Sequence, residues 1–298
     1  MISGDVSPGD EAMASMEALA ARLAGVGPSR LGDAMAVVAR HLHQMLHTLR
    51  PTPAELRAVI GFLTETGHHA DARRQEWVLL ADALGISSAV HALNHPHRLG
   101  ATPDTGSGPF YRPNAPEIAL GQSICRDERG DPLRVSGTVC SLSGAGIGGA
   151  LVEVWQANGE GLYENQEPDR QPEHNLRARI RADQDGRFSF LSIKPGGYSL
   201  PIDGPVGRLL THLGLPLERP AHINLRISAR GYETLTTHVF DQADPAIGRD
   251  AIFGVRPELL AEFRAETTGQ GQTVYALAIN LVLCPTGSAQ LMPGRSSI

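Results

Sequence analysis

The stretch RPAHINLRIS, residues 219–228, carries the pattern on which the predicted fold depends. From Ile223 onward an isoleucine or leucine occupies every second position, and successive side chains of a β-strand point to opposite faces. This alternation predicts a strand whose apolar face lies in the core. His222 and Asn224 share the other face, about 6.6 Å apart along the backbone, because a strand rises about 3.3 Å per residue.

Similar alternating runs occur beyond residue 116, separated by turn signals such as Asp185-Gly186. Strands are predicted at 135–139, 150–157, 176–181, 187–193, 221–228, 234–240 and 273–283. In the run 176–181 arginine alternates with apolar residues, which predicts a strand with one solvent-exposed face. Many short strands in series indicate a mainly antiparallel β-sandwich.

The first hundred residues show a different period. Between residues 10 and 95, apolar side chains recur every three or four positions, which is typical of α-helices. One helix is predicted to begin at Thr52, whose hydroxyl can form a capping box with Glu55. Another is predicted to begin at Asp71 and to end at Gly85, a residue suited to left-handed backbone.

A stretch rich in Gly, Pro, Thr and Ser at 100–116 is predicted to be a loop that separates two domains. The chain is therefore predicted to have an α+β fold, with an N-terminal helical dimerisation module at 1–107 and a mainly antiparallel β-sandwich domain at 108–298. The Gly-rich run at 144–149 precedes a strand rather than a helix, so phosphate binding is not expected there.

Composition narrows the classes of function. The chain of 298 residues has 26 Lys and Arg against 32 Asp and Glu, a formal net charge of -6, so it has no basic field that would attract nucleic acid or anionic lipid. Its three cysteines, Cys125, Cys140 and Cys284, lack the spacing of a zinc site and cannot build a disulfide framework. Neither a membrane-spanning run nor a secretory signal is expected. We therefore expect a cytoplasmic protein without membrane insertion.

Tyr163 and Tyr198 stand out because only five tyrosines occur and both of these lie in predicted loops. A phenol, with a pKa of about 10, is a poor ligand at neutral pH unless a trivalent cation such as Fe(III) stabilises the phenolate. Two tyrosines together with His222 would therefore indicate ferric iron. The alternative is that the phenols pack at the base of loops and that His222 is a structural histidine of the strand.

Several short motifs resemble, in their order along the chain, those of one enzyme family. They are EWVLLADALGISSAVHALNHPHRLGATPDTGSG at 76–108, GPF at 108–110, EVWQAN at 153–158, NLR at 175–177, DGPVG at 203–207 and RPAH at 219–222. With them the chain resembles the intradiol ring-cleaving dioxygenases of the catechol and hydroxyquinol 1,2-dioxygenase group. The resemblance implies that the helical module forms a homodimer and that the β-sandwich holds a non-haem Fe(III) ion, which acts on a small aromatic diol and O2.

The resemblance also implies the metal ligands. Tyr163 and Tyr198 match the two tyrosine ligands of the family, and His222 matches the first histidine of its RPAHxH motif. Asn224 stands where the second histidine is expected. Tyr198 would leave the metal and act as the base toward the diol. An amide oxygen is a weaker ligand than imidazole, so Asn224 implies looser iron binding, an open position or altered chemistry.

Position 224 leaves two further interpretations open. His174 or His238 could replace the missing histidine as a metal ligand. Alternatively, the chain is a non-catalytic or metal-free relative of the family that keeps the aromatic pocket as a binding module.

The same resemblance implies the substrate contacts. Arg219 matches an arginine that lies over the substrate ring, where its charge would stabilise a deprotonated diol; the alternative is a salt bridge at the start of the strand. Leu80 and Asp82 match the part of the helical module that lines the pocket, although an ordinary helix face is equally consistent. His238 and the run DAIFGV at 250–255 resemble the hydroxyquinol-cleaving members, so a trihydroxylated ring is expected.

Overall fold

The structure of the protein, a computed structural model, describes residues 8–24, 29–71, 74–95, 98–127 and 129–287. The chain divides into two compact units, Met1–His68 and His69–Ile298. The first unit is helical, and the second contains further helices together with the strands. The architecture is therefore α+β, as the change of period predicts. The assignment of 1–107 and 108–298 as domains stays a prediction.

The helices of the first unit are α1 (Pro8–Ala24), α2 (Arg30–Leu49) and α3 (Pro53–His68). Ser29 accepts a hydrogen bond from the backbone N–H of Gly32 at 3.0 Å and so caps α2. The predicted capping box of α3 is present. The Thr52 hydroxyl accepts from the Glu55 N–H at 3.2 Å, and the Glu55 carboxylate accepts from the Thr52 N–H at 2.6 Å. Residues close in sequence thus cap the starts of α2 and α3.

The helices of the second unit are α4 (Glu76–Ala83), α5 (Ile86–Asn94) and α6 (Pro205–His212). Gly85, with a φ of 70°, separates α4 from α5, where the sequence predicts a helix end. The prediction that α4 begins at Asp71 is wrong, because the Asp71 carboxylate accepts from the Arg74 N–H at 2.7 Å and closes a turn instead. Glu76, the first residue of α4, is buried and accepts from the Val206 N–H at 3.1 Å. Within the described ranges, no single helix is long and apolar enough to span a membrane, although the bent pair α4 and α5 passes that test together by length and composition.

The strands of the second unit are β1 (Glu117–Ile118), β2 (Pro132–Ser141), β3 (Leu151–Gln156), β4 (Arg177–Arg181), β5 (Arg187–Ile193), β6 (Tyr198–Ser199), β7 (Glu218–Arg219), β8 (His222–Ser228), β9 (Leu235–Asp241), β10 (Leu260–Ala261), β11 (Arg264–Thr267) and β12 (Thr273–Leu283). They form a six-stranded sheet in the order β1-β4-β3-β8-β9-β10, a four-stranded sheet in the order β11-β12-β2-β5, and a two-stranded pair of β6 and β7. Most neighbours pair antiparallel, but β1 with β4, β10 with β9, and β12 with β2 pair parallel. The sheets are therefore mixed, since alternation shows which face of a strand is buried but not the direction of its neighbour.

The two larger sheets share one buried apolar cluster. The four-stranded sheet contributes Val139, Phe190 and Leu277, among others, and the six-stranded sheet contributes Val152 and Leu225, all at most 2 % exposed. Burying a side chain of this size stabilises the fold by roughly 1.5–3 kcal/mol. The predicted apolar face of β8 is thus confirmed, and its opposite face points away from this cluster.

The arginine face predicted for β4 is only partly exposed. Arg181 is exposed and Arg179 is half-buried, but Arg177 is 2 % exposed. Its Nε donates to Glu164 Oε2 at 2.7 Å, and its Nη1 donates to the Phe110 carbonyl oxygen at 2.6 Å. The prediction of a solvent-exposed Arg177 is wrong, because a carboxylate from another segment neutralises the buried charge.

Candidate active site

Strands β3, β8 and β9 are neighbours in the six-stranded sheet and bring polar side chains into one row. Asn224 on β8 is the register partner of Trp155 on β3 and of His238 on β9. His222 lies two residues before Asn224 on the same face, and its ring centroid is 5.1 Å from that of His238. These four side chains are at most 5 % exposed. The face that carries the predicted ligands is therefore buried.

Tyr163 lies in a loop, as predicted, whereas Tyr198 lies in the short strand β6, where the sequence predicts a loop, because this residue pairs with β7. Gly161 makes the close approach of their two segments possible, because its φ of 84° suits glycine and a Cβ there would overlap the Gly197 carbonyl. The two tyrosine ring centroids are 6.2 Å apart, with the ring planes at 80°. Phe110 stacks on Tyr163 with ring centroids 4.1 Å apart. The structure therefore places both predicted tyrosine ligands in one aromatic cluster.

The imidazole of His222 is held with one nitrogen free of protein partners. Its ring centroid is 5.8 Å from that of Tyr198. Nδ1 lies 2.8 Å from the Pro220 carbonyl oxygen, which can only accept, so Nδ1 carries the hydrogen. Nε2 is buried and has no hydrogen-bond partner among the described residues. Burial and then the positive charge of Arg219 lower the pKa of His222 to about 3, so the ring is neutral and Nε2 keeps its lone pair.

Arg219 is a buried cation beside Tyr198. Its Nη1 donates to the Tyr198 hydroxyl oxygen at 3.2 Å, and its Nε donates to Asp250 Oδ1 at 3.1 Å. Burial alone would lower the pKa of Arg219, but Tyr198 and Asp250 outweigh it and raise the pKa, so the guanidinium stays charged. Its Nη2 is buried without a hydrogen-bond partner in the described part of the chain. The predicted salt bridge and the predicted substrate contact are therefore compatible, because one nitrogen stays available.

Asn224 contacts Tyr163 through its amide nitrogen. Nδ2 donates to the Tyr163 hydroxyl oxygen at 3.0 Å and to the Trp155 carbonyl oxygen at 2.9 Å. Burial, and after it the neighbouring Tyr198, raise the pKa of the Tyr163 phenol above its ordinary value. Tyr163 is therefore a neutral phenol unless a positive charge lies close to its oxygen, which a bound trivalent ion would supply.

The two histidines that were candidates for a substitute ligand have different neighbours. The Nδ1 of His238 is hydrogen-bonded to the Thr105 hydroxyl. Burial and the nearby His222 lower the pKa of His238 well below its ordinary value, so the ring is neutral. His174 lies in the loop before β4, where its Nε2 is 3.8 Å from a carboxylate oxygen of the exposed Glu173. The structure thus places His238 beside His222.

Leu80 and Asp82 lie on α4, and both are half-buried. Burial raises the pKa of Asp82, and a hydrogen bond with Ser87 and the charge of Arg219 oppose this shift. Asp82 is therefore within electrostatic range of Arg219, which is consistent with its predicted place in the pocket lining.

Among the neighbours of the cluster that lie outside the predicted set of site residues are Phe110, Asp250 and Arg177. Phe110 belongs to the GPF motif and Asp250 to the DAIFGV run, so the motifs contained these residues without indicating what they contact. The guanidinium carbon of Arg177 is 5.6 Å from the Tyr163 ring centroid. Strand alternation could not find Arg177, because it placed this side chain on the exposed face.

The converging donors are suited to ferric iron. Among the described residues, no group of three or more His, Cys, Asp or Glu side chains is arranged to hold a metal ion. The donors that meet are instead the phenols of Tyr163 and Tyr198 and the neutral imidazole of His222, whose buried Nε2 lacks a partner. Phenols become good ligands when a trivalent cation stabilises their anions. These residues therefore fit Fe(III).

The chain matches two protein-family models, one described as a catechol dioxygenase N terminus over residues 29–102 and one described as a dioxygenase over residues 107–285. Hydroxyquinol 1,2-dioxygenase of Rhizobium sp. (strain MTP-10005) is 44% identical, over 84% of this chain and 85% of its own length. The 6-chlorohydroxyquinol 1,2-dioxygenase of Cupriavidus pinatubonensis (strain JMP 134 / LMG 1197) is 39% identical, over 91% of this chain and 96% of its own length. Among solved structures, hydroxyquinol 1,2-dioxygenase from Pseudomonas putida DLL-E4 aligns with a TM-score of 0.87 at 33% identity, covering 92% of this chain and 98% of that chain.

Proposed function

Because this chain belongs to the intradiol ring-cleavage dioxygenase family, we propose that it binds Fe(III) and uses O2 to open a hydroxyquinol-like aromatic ring. Membership of the family makes it an intradiol-type dioxygenase of catechol-like diols, and the metal and the ring substituents are the proposed part. The observation that carries the proposal is the cluster of Tyr163, Tyr198 and His222, in which His222 Nε2 is a buried lone pair without a partner.

We assign Tyr163, Tyr198 and His222 as iron ligands, with Asn224 at the position where the family motif has a second histidine. Two phenolates and one neutral imidazole would bring two negative charges to the ion, which suits a trivalent cation better than a divalent one. When bound, the iron supplies the redox chemistry that makes the aromatic diol reactive toward O2. The chain supplies the shaped, buried cluster around the diol.

Arg219 and Tyr198 act on the diol itself. The unpartnered Nη2 of Arg219 is the donor that we assign to a substrate oxygen, and its fixed charge lowers the cost of deprotonating the diol. Tyr198, whose oxygen accepts a hydrogen bond from Arg219, is the group that takes the proton from one hydroxyl. Leu80 and Asp82 are proposed to line the pocket beside the ring.

The ring is proposed to carry a third hydroxyl group. Because Nδ1 of the neutral His238 is engaged by Thr105, Nε2 is the nitrogen left to contact a polar ring substituent. The printed names of the two relatives, a hydroxyquinol and a 6-chlorohydroxyquinol 1,2-dioxygenase, support the same class of substrate. A catechol would leave the imidazole of His238 opposite a C–H group.

The enzyme is tested by loading the purified protein with Fe(III) and measuring O2 uptake and ring opening with hydroxyquinol and with catechol. We expect a visible absorption band from the tyrosine ligands and faster turnover of hydroxyquinol. Stoichiometric iron without a visible band would exclude Tyr163 and Tyr198 as ligands. Aromatic-ligand binding that is equal with and without metal, in the absence of O2 uptake, would favour the binding module instead.

We also propose a homodimer that forms through the helices of the predicted 1–107 module. Helix α2 supports it, since this helix leaves Leu31, Leu42 and Leu49 exposed, and an exposed apolar patch of this kind is typical of protein interfaces. Sedimentation at micromolar concentration should give the mass of two chains, and a stable monomer would contradict the proposal.

For residues 108–298 we propose a β-sandwich catalytic domain, which the core shared by the two larger sheets supports. For the protein as a whole we propose a cytoplasmic location.

A further inference from the structure

Asn224 lies on the same face of β8 as His222, and its two hydrogen bonds show how its side chain is used. Its Nδ2 donates both to the Tyr163 hydroxyl oxygen, at 3.0 Å, and to the Trp155 carbonyl oxygen, at 2.9 Å. We propose that Asn224 is a positioning residue for Tyr163 and not a metal ligand. This inference rests on the proposed iron site.

The Trp155 carbonyl decides which way the amide of Asn224 faces. A carbonyl oxygen only accepts hydrogen bonds, so turning the amide around would bring Asn224 Oδ1 against the Trp155 oxygen with no hydrogen between two acceptors. Because Asn224 is 3 % exposed, bulk water is not available to relieve that contact. The amide nitrogen therefore faces both oxygens, and its two hydrogens match the two acceptors.

The atom turned toward Tyr163 cannot coordinate iron. The lone pair of an amide nitrogen is delocalised into the carbonyl group, and both hydrogens of Asn224 Nδ2 are engaged. This nitrogen instead donates a hydrogen bond to the Tyr163 oxygen, which favours the phenolate form of Tyr163 and fixes the direction of its oxygen. Metal-binding side chains are commonly oriented by hydrogen bonds with residues that do not themselves bind the metal.

Replacing Asn224 by Asp separates the two roles, because the ligand role predicts tighter iron binding and the positioning role predicts weaker iron binding. A carboxylate is a stronger donor to a hard cation than an amide oxygen, so N224D would tighten iron binding if position 224 were a ligand. In the positioning role, Asp has no N–H for Tyr163 and adds negative charge beside its oxygen. We therefore expect the iron dissociation constant to rise about tenfold in competition with a chelator at neutral pH.

A double-mutant cycle shows whether Asn224 acts through Tyr163. Asn224→Leu, Tyr163→Phe and the double variant are compared for iron affinity and, as metal-free proteins, for the midpoint of urea unfolding. The loss of iron affinity caused by Asn224→Leu should largely disappear when Tyr163 is already phenylalanine. The loss in unfolding midpoint should become smaller but remain, because the Trp155 carbonyl loses its donor in both backgrounds. In the ferric protein, Asn224→Leu should also shift the visible band to longer wavelength, because an unbonded phenolate holds its electrons less tightly. A merely structural role would not move that band.

Thr237→Val is the matched control. Thr237 is buried on β9, and its hydroxyl donates to the Pro103 carbonyl oxygen at 2.8 Å. The variant therefore removes one buried hydrogen bond to a carbonyl without touching either tyrosine. It should lower the unfolding midpoint and leave the iron dissociation constant and the visible band unchanged.

Tighter iron binding by N224D, or additive effects of Asn224→Leu and Tyr163→Phe in both measurements, would overturn the positioning role. If the wild-type protein itself takes up no iron, the proposed function fails, and that result is distinct. In that case the urea-unfolding cycle on the metal-free protein still tests the hydrogen bond between Asn224 and Tyr163. Coupled losses in the unfolding midpoint support this interaction, and additive losses contradict it.

Discussion

Tyr163 and Tyr198 are the same residue type in unlike surroundings. Tyr163 is 1 % exposed, stacks on Phe110 at 4.1 Å and accepts a hydrogen bond from Asn224 at 3.0 Å. Tyr198 is half-buried in the short strand β6, and its hydroxyl oxygen accepts from the charged Arg219 at 3.2 Å. One tyrosine is packed and fixed, and the other is partly open beside a permanent cation.

This difference fits two different tasks. A tyrosine held by stacking and by a hydrogen bond can keep the geometry of a metal site without changing partners. A partly open tyrosine whose oxygen accepts a hydrogen bond from a guanidinium is placed to take a proton from a bound substrate. We therefore expect Tyr163 to control iron affinity and Tyr198 to control turnover.

Replacing each tyrosine by phenylalanine is the most direct test of whether the two tyrosines have different tasks. Tyr198→Phe should lower kcat by about 100- to 10,000-fold, because it removes the proton acceptor, and should lower the iron content less than Tyr163→Phe does. Tyr163→Phe should instead lower the iron content itself. Metal analysis, the visible spectrum and O2 uptake are measured on both variants. Equal iron content in the two proteins would contradict the division of tasks.

A second test removes the charge beside Tyr198. Arg219→Gln should lower kcat by about 100- to 1,000-fold, as the loss of a buried donor to a developing oxyanion does elsewhere. Its iron content should stay unchanged, since Arg219 is not assigned to the metal. Arg187→Gln, which removes an exposed arginine of β5, is the control and should have normal kcat. Normal turnover by Arg219→Gln would show that the cation beside Tyr198 is not needed.

The surroundings of Tyr163 are tested at the buried ion pair next to it. Arg177 Nε lies 2.7 Å from Glu164 Oε2, and both side chains are at most 2 % exposed. Arg177→Met leaves the carboxylate with Arg112 alone, whose Nη1 donates to Glu164 Oε1 at 2.7 Å, and should lower the free energy of unfolding by about 3 kcal/mol, at the low end for breaking a buried ion pair. The loss is measured by urea unfolding of the metal-free protein. If adding Glu164→Leu recovers none of it, the effect does not come from the buried carboxylate that has lost Arg177.

The smallest expected effect concerns His238, a neutral histidine on the Tyr198 side of the site, and the pH dependence of stability that it causes. Burial and the nearby His222 lower the pKa of His238 in the folded protein, whereas the unfolded chain titrates at about pH 6.5. Below about pH 6.5 the unfolded state therefore binds a proton that the folded state does not, and stability falls as the pH is lowered. Between about pH 7.5 and about pH 5, His238→Gln should lose about 2 kcal/mol less unfolding free energy than the wild type. Equal losses in urea unfolding would show that His238 is not buried as a neutral ring.

The parts of the molecule that the sequence predicts correctly depend on near neighbours in the chain. The alternation of apolar and polar residues predicts the apolar face of β8, because side chains two positions apart lie on the same face of a strand. The capping box of α3 needs only Thr52 and Glu55, which are three positions apart. Both features are confirmed, because the residues that specify each of them are close together in the chain.

The parts that the sequence does not predict depend on distant partners. Arg177 is buried because Glu164 neutralises its charge and the Phe110 carbonyl accepts from its Nη1, and neither lies in the alternating run. At the start of α4, the buried carboxylate of Glu76 accepts from the N–H of Val206, which is far along the chain. The site itself shows the same limit: its tyrosines and histidine lie on three separate segments, so their convergence is implied by the family motifs and not by spacing.

The parallel pairing of β2 with β12 bears on the order in which the protein assembles. Leu133 is the register partner of Tyr275, so an early strand of the second unit pairs with a very late one. Strands β3, β8 and β9, which carry the site, lie between these two in the chain. During synthesis they can find one another before β12 leaves the ribosome, whereas the four-stranded sheet cannot be completed until a long loop has closed at an entropic cost. A newly made chain therefore passes through a stage in which the ligand-bearing strands are paired while their apolar face lacks part of its cover, and at that stage it is most prone to aggregate.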